Sequence, residues 1–126
     1  MSPLLVTALR FDALVSGAVA LLQLAFTGIV AKLAALPAPL VFGSGLFLVG
    51  YVALLLVLAA SRRVWQPLLA LVIFGNIGWA LASIALAAWW TPGVIGIAYL
   101  ASHAICTLFF AGWEAAGLRR SEVGPE

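Results

Sequence analysis

The chain has 126 residues, 66% of them hydrophobic and only 8% charged, and its mean hydropathy is +1.24. Soluble domains carry about 25% charged residues, so a monomeric water-soluble globule is excluded and an integral membrane protein is expected. The net charge of +2 and pI of about 9.2 come from basic residues that flank apolar runs rather than from a basic face, so no nucleic-acid partner is expected.

A membrane span takes ~20 residues. Four spans fill most of this chain and leave room for short connections only. The expected fold class is therefore all-α, a single four-helix transmembrane domain with up-down-up-down topology. The spans are expected at about 11–31, 40–60, 68–89 and 94–114, followed by a polar tail over 118–126. Met1–Leu9 is short and apolar, and Ser2-Pro3 suits a helix start, with Ser as cap and Pro in the first turn. Cleavage of the first segment as a signal peptide is not expected. Its apolar core exceeds the usual length, and Asp12 stands where positive charge is preferred.

The first span, Phe11–Val30, carries Asp12, Ser16, Gln23 and Thr27. At ~100° per residue the last three lie within ~60° of Asp12, so all four share one stripe. Pro37 and Pro39 end this helix. The second span is thin on one side at Gly43, Gly45 and Gly50, and Ser61–Gln66 is a polar turn before Pro67 restarts a helix. Trp90-Thr91-Pro92-Gly93 is a tight turn before the fourth span. Small residues such as Gly75 with Gly78, and Gly112 with Ala116, suggest close helix packing. Arg10, Arg62, Arg63, Arg119 and Arg120 fall on one side of the membrane and Lys32 alone on the other, which places both termini in the cytoplasm. Trp65 and Trp113 then mark the inner interface, and Trp89 and Trp90 the outer.

Counting ~1.5 Å per residue from the cytoplasmic ends of these spans places Gln23, Tyr51, Asn76 and His103 near the bilayer midplane, with Trp79 close by. An unsatisfied polar group in hydrocarbon costs several kcal/mol, so these stripes must face one another or a partner. Cross-helix hydrogen bonding accounts for such a layer, and so does a ligand site built from Gln23, Tyr51, Asn76, Trp79 and His103. Asp12 and Glu114 are expected at the cytoplasmic edge as a hydrated charge cluster, with a proton or ion gate as the sharper reading. No cofactor or metal is expected. One histidine does not supply two axial haem ligands, and His103 with Cys106 falls short of a closed zinc set. A lone cysteine also excludes an internal disulfide.

The layout resembles that of the uncharacterised small four-helix inner-membrane proteins of bacteria with Ala/Leu-rich proteomes. It departs from better-known four-helix families. Small multidrug resistance transporters place a glutamate midway along the first helix, where this chain has Gln23. Dual-topology fluoride channels carry an early Gly-rich motif followed by Arg, and nothing in Phe11–Lys32 matches it. Quinone-linked thiol oxidoreductases need two or more cysteines. The expected function is non-catalytic: binding of a small amphipathic ligand or lipid, or of a partner membrane protein, through the polar layer. The alternative is a small oligomeric proton- or ion-coupled transporter or channel. The expected setting is the bacterial inner membrane.

Overall fold

The structure is a computed structural model, and it describes residues 1–90 and 92–123. Five helices follow one another: α1 (Pro3–Ala25), α2 (Thr27–Ala34), α3 (Ala38–Ser61), α4 (Gln66–Trp90) and α5 (Val94–Val123). Four of them, α1, α3, α4 and α5, are long and apolar enough to cross a membrane. The all-α four-span class expected from composition is the one observed.

The first span is α1 and α2 together, kinked at Phe26, whose backbone leaves helical geometry (φ −125°, ψ 36°). Regular helix breaks off at this one residue, which keeps two backbone bonds. Phe26 donates to Leu22 O at 3.0 Å and Val30 to Phe26 O at 2.9 Å. The kink coincides with Thr27, whose Oγ1 donates to Gln23 O at 2.5 Å and to Leu24 O at 3.2 Å. Hydroxyl back-bonding of this kind bends helices. The stretch ends at Ala35 in the left-handed region (φ 55°). Pro37 then leads into α3, which ends at Arg62, also left-handed (φ 55°), before Gln66 opens α4.

Two helices run past the expected spans. α1 begins at Pro3, at the helix start expected from Ser2-Pro3 and ahead of the span placed at about 11–31, and α5 continues to Val123, through the start of the tail placed at 118–126. One contact explains both. Ser2 Oγ accepts from the Leu5 amide at 3.2 Å, capping α1, and donates to Gly117 O at 2.7 Å. The Ser2 nitrogen donates to Ser121 Oγ at 2.8 Å. The first turn of α1 thus lies directly on the last turns of α5. A Cβ on Gly117 would sit 2.6 Å from Leu5 Cα, so glycine is what permits the crossing. Thr91 of the expected turn and residues 124–126 of the expected tail lie outside the described residues.

α1 packs against α3 and α5, and α5 packs against α4. The backbones of α3 and α4 stay apart although only residues 62–65 join them. The bundle is therefore a row, α3–α1–α5–α4, curled into an incomplete ring with a gap between its two ends. Two apolar clusters hold it. One gathers Leu5, Leu9, Leu55, Leu58, Leu69 and Val72, and the other gathers Val30, Ala34, Leu36, Val41 and Leu100. Burying a Leu or Val contributes ~1.5–3 kcal/mol in water. Inside a membrane that driving force is absent, and close packing and hydrogen bonds take its place. The polar side chains lie between the two clusters.

Candidate functional site

The helix bounds set the depth of each polar group. Asp12 lies ~14 Å from the Pro3 end of α1 and Glu114 ~14 Å from the Val123 end of α5. Tyr51 and Asn76 lie ~15 Å from the ends of α3 and α4 on the same side. These four share one level of the bundle, and hydrogen bonds join them. The expectation of a hydrated charge cluster is corrected: Asp12 and Glu114 are each 1% exposed. The cause is the packing of α1 against α3 and α5 and of α5 against α4, which covers both carboxyl groups.

The four residues form one hydrogen-bonded cluster. Asn76 Nδ2 donates to Asp12 Oδ2 at 3.0 Å and to Glu114 Oε1 at 2.7 Å, so a single amide group bridges the two carboxyl groups. Tyr51 OH donates to Asp12 Oδ2 at 3.0 Å, and Ser16 Oγ donates to Asp12 Oδ1 at 2.8 Å. Asp12 is thus served by α1, α3 and α4. Glu114 Oε2 is buried with no hydrogen-bond partner. No basic side chain compensates the pair, because Lys32 and all five arginines are exposed.

A second cluster centres on Gln23, which is 1% exposed. Its Nε2 donates to Val41 O at 2.9 Å and Ser44 Oγ at 2.7 Å, and its Oε1 accepts from Tyr99 OH at 2.5 Å. His103 lies between the clusters. Its Nδ1 accepts from Trp79 Nε1 at 3.0 Å, and its ring lies 4.6 Å from that of Tyr99. The single midplane layer of Gln23, Tyr51, Asn76 and His103 is therefore two levels. Tyr51 and Asn76 belong with the carboxyl groups, while Gln23 pairs with Tyr99 and Ser44. Tyr99 and Ser44 lie on the polar stripes of their helices, but stripe position alone does not say which partner each finds.

The gap between α3 and α4 is a groove of about 740 Å³. Its α3 wall includes Phe47, Gly50, Tyr51 and Leu54, and its α4 wall includes Leu71, Gly75, Asn76, Gly78 and Trp79. Phe47 stacks on Trp79 across it, with ring centroids 5.7 Å apart. Gly50, Gly75 and Gly78 open it. A Cβ at any of the three would meet nothing within 4 Å. Gly75 and Gly78 thus do not serve the close packing expected of them; they make room. Gly112 likewise meets nothing.

Two smaller cavities adjoin the groove. One, of about 160 Å³, is lined by Asp12, His103, Cys106 and Phe110, and shares Ser16, Leu48, Trp79 and Thr107 with the groove. The other, of about 200 Å³, is lined by Gln23, Leu36, Ser44, Tyr99 and His103. Trp79 lines all three spaces. Five of the seven side chains expected at a site, Asp12, Gln23, Tyr51, Asn76 and Glu114, take part in the two clusters. Trp79 and His103 form the wall between them. The glycines that create the groove were visible in the sequence, but not the side of the helix they free.

The chain matches no known protein-family model, no curated protein and no solved structure.

Proposed function

We propose that this is a non-catalytic multi-pass membrane protein that binds a small amphipathic molecule in the α3–α4 groove, entering sideways from the bilayer. The observation that carries the reading is the groove itself. It is about 740 Å³, within the ~300–1,000 Å³ range of small-molecule sites. It is apolar along most of its length, aromatic at Phe47 and Trp79, and polar at Tyr51 and Asn76. The five-to-one division of basic residues supports an orientation with both termini in the cytoplasm, and the setting we propose is a bacterial inner membrane.

The test is photolabelling in nanodiscs with a neutral fatty alcohol carrying a diazirine. Label is expected to concentrate on the groove walls, near Leu54 and Leu71, and to fall sharply in Gly75→Leu/Gly78→Leu, which fills the space. Even labelling over all outward-facing helix surfaces, unchanged in that variant, would contradict the reading.

A second reading, proton- or ion-coupled transport by an oligomer, draws support from one observation. Asp12 and Glu114 are buried together without a basic partner, and buried ionisable groups in membranes mark ion paths by default. Proteoliposomes that dissipate an imposed pH gradient with wild-type protein but not with Asp12→Asn would favour it over simple binding. A partner membrane protein seated in the same gap would instead protect the groove from the photolabel.

A further inference from the structure

The ligand class can be narrowed by charge, on the footing that the groove is a binding site. Asp12 Oδ2 and Glu114 Oε1 lie within 3.0 Å of the same Asn76 nitrogen. Two anions this close, each 1% exposed and without a lysine or arginine beside them, would each cost several kcal/mol to bury. The pair therefore calls for one positive charge. Glu114 Oε2 is buried and has no partner among the described residues, so this carboxyl group is the less well satisfied of the two. Ser16, Leu48, Trp79 and Thr107 line both the groove and the 160 Å³ cavity, and Asp12 lines that cavity. The two spaces thus share a wall, and the smaller one, which also borders exposed Ser102 and Cys106, has room for a small head group beside Asp12.

We propose that the groove takes a single-chain amphiphile with a small ammonium head, the chain lying between α3 and α4 and the head in the 160 Å³ space against Asp12, which Asn76 bridges to Glu114. Charge balance makes the exchange one for one. A permanently charged head is expected to displace one proton from the carboxyl pair to water as it binds. The titratable groups lining this space are Asp12 from α1 and Tyr99, His103 and Cys106 from α5, and α4 contributes Trp79, which engages His103 Nδ1. Tyr51 and, through Asn76, Glu114 adjoin Asp12 in its hydrogen-bonded cluster. An aromatic wall of Trp79 suits an ammonium head further, since cations are drawn to ring faces.

The experiment titrates the protein in nanodiscs of zwitterionic lipid with dodecyltrimethylammonium, using protein-free nanodiscs as the blank, and follows bound ligand and released protons together. Saturable binding is expected, with close to one proton released per ligand and affinity rising up to about tenfold per pH unit over the range where the pair holds its proton. Dodecanol, with the same chain and no charge, is expected to bind at least tenfold more weakly and to release no proton. Asp12→Asn and Glu114→Gln are expected to lower dodecyltrimethylammonium affinity at least tenfold and to reduce proton release, with folding checked by helix content and monodispersity. Equal binding of dodecanol and dodecyltrimethylammonium, or binding by wild type without proton release, would overturn the proposal while leaving the groove a binding site. The wild-type proton count decides the matter even if a carboxyl variant fails to fold. Saturable binding of neither compound would remove the groove reading as well.

Discussion

Asn76 is the residue on which the interior depends. Its one amide nitrogen separates two buried carboxyl groups and bonds both. Replacing it with leucine leaves Asp12 with two donors and Glu114 with none. Cross-helix bonds in membranes contribute about 0.6–2 kcal/mol each, and an acceptor left buried and unpaired adds a desolvation cost. Asn76→Leu is therefore expected to destabilise the protein by about 2–4 kcal/mol, read as a lower unfolding temperature in detergent. Glu114→Gln should behave in the opposite way. The new amide cannot ionise and can donate towards Asp12, so the unfolding temperature should hold or rise. If Asn76→Leu is neutral, or Glu114→Gln is as damaging as Asn76→Leu, the two carboxyl groups are not coupled as described. The identity of the interior residues was legible from the helical stripes. Their partners were not, because a stripe fixes direction around a helix and leaves height to the helix ends.

At the scale of the helix, those ends decide the site. Taking the first span from Phe11 puts Asp12 at the membrane edge. Starting the helix at Pro3 puts the same residue ~14 Å along it, where α3 and α5 pack over it. The signal was present in Ser2-Pro3, a good cap pair, but hydropathy does not distinguish a short apolar lead-in from the first turns of a span. The docking of that lead-in on Gly117 is a tertiary contact between opposite ends of the chain, and no local pattern announces it. Two glycine substitutions test the distinction between packing and space. Gly117→Ala drives a Cβ to 2.6 Å from Leu5 Cα and should cost about 1–3 kcal/mol as an overpacked contact. It should also release the N-terminus, seen as faster amide exchange over the first turn of α1. Gly75→Ala meets no atom within 4 Å and should change stability by less than about 1 kcal/mol. Equal loss in both variants would mean that α3 and α4 close on each other at Gly75.

At the scale of the whole molecule, four spans in alternating directions were readable from composition, proline positions and short connections. The opening of the ring was not. An up-down-up-down chain with a four-residue link at 62–65 invites the inference that α3 and α4 pack side by side, and Gly50, Gly75 and Gly78 read equally well as a close-packing seam. In the structure the seam is elsewhere: α1 holds α3 and α5 on either side, Phe47 and Trp79 are the stacked pair across the gap, and the three glycines leave about 740 Å³ between the end helices. Such a space, bordered by Tyr51 and Asn76 and backed by a carboxyl pair, is the feature from which the functional reading grows. Native mass spectrometry of the protein released from membranes measures its occupant directly. The account predicts a small molecule retained one per chain by the wild type and lost in Gly75→Leu/Gly78→Leu. A bare wild-type mass, or the same bound mass in both proteins, would contradict it.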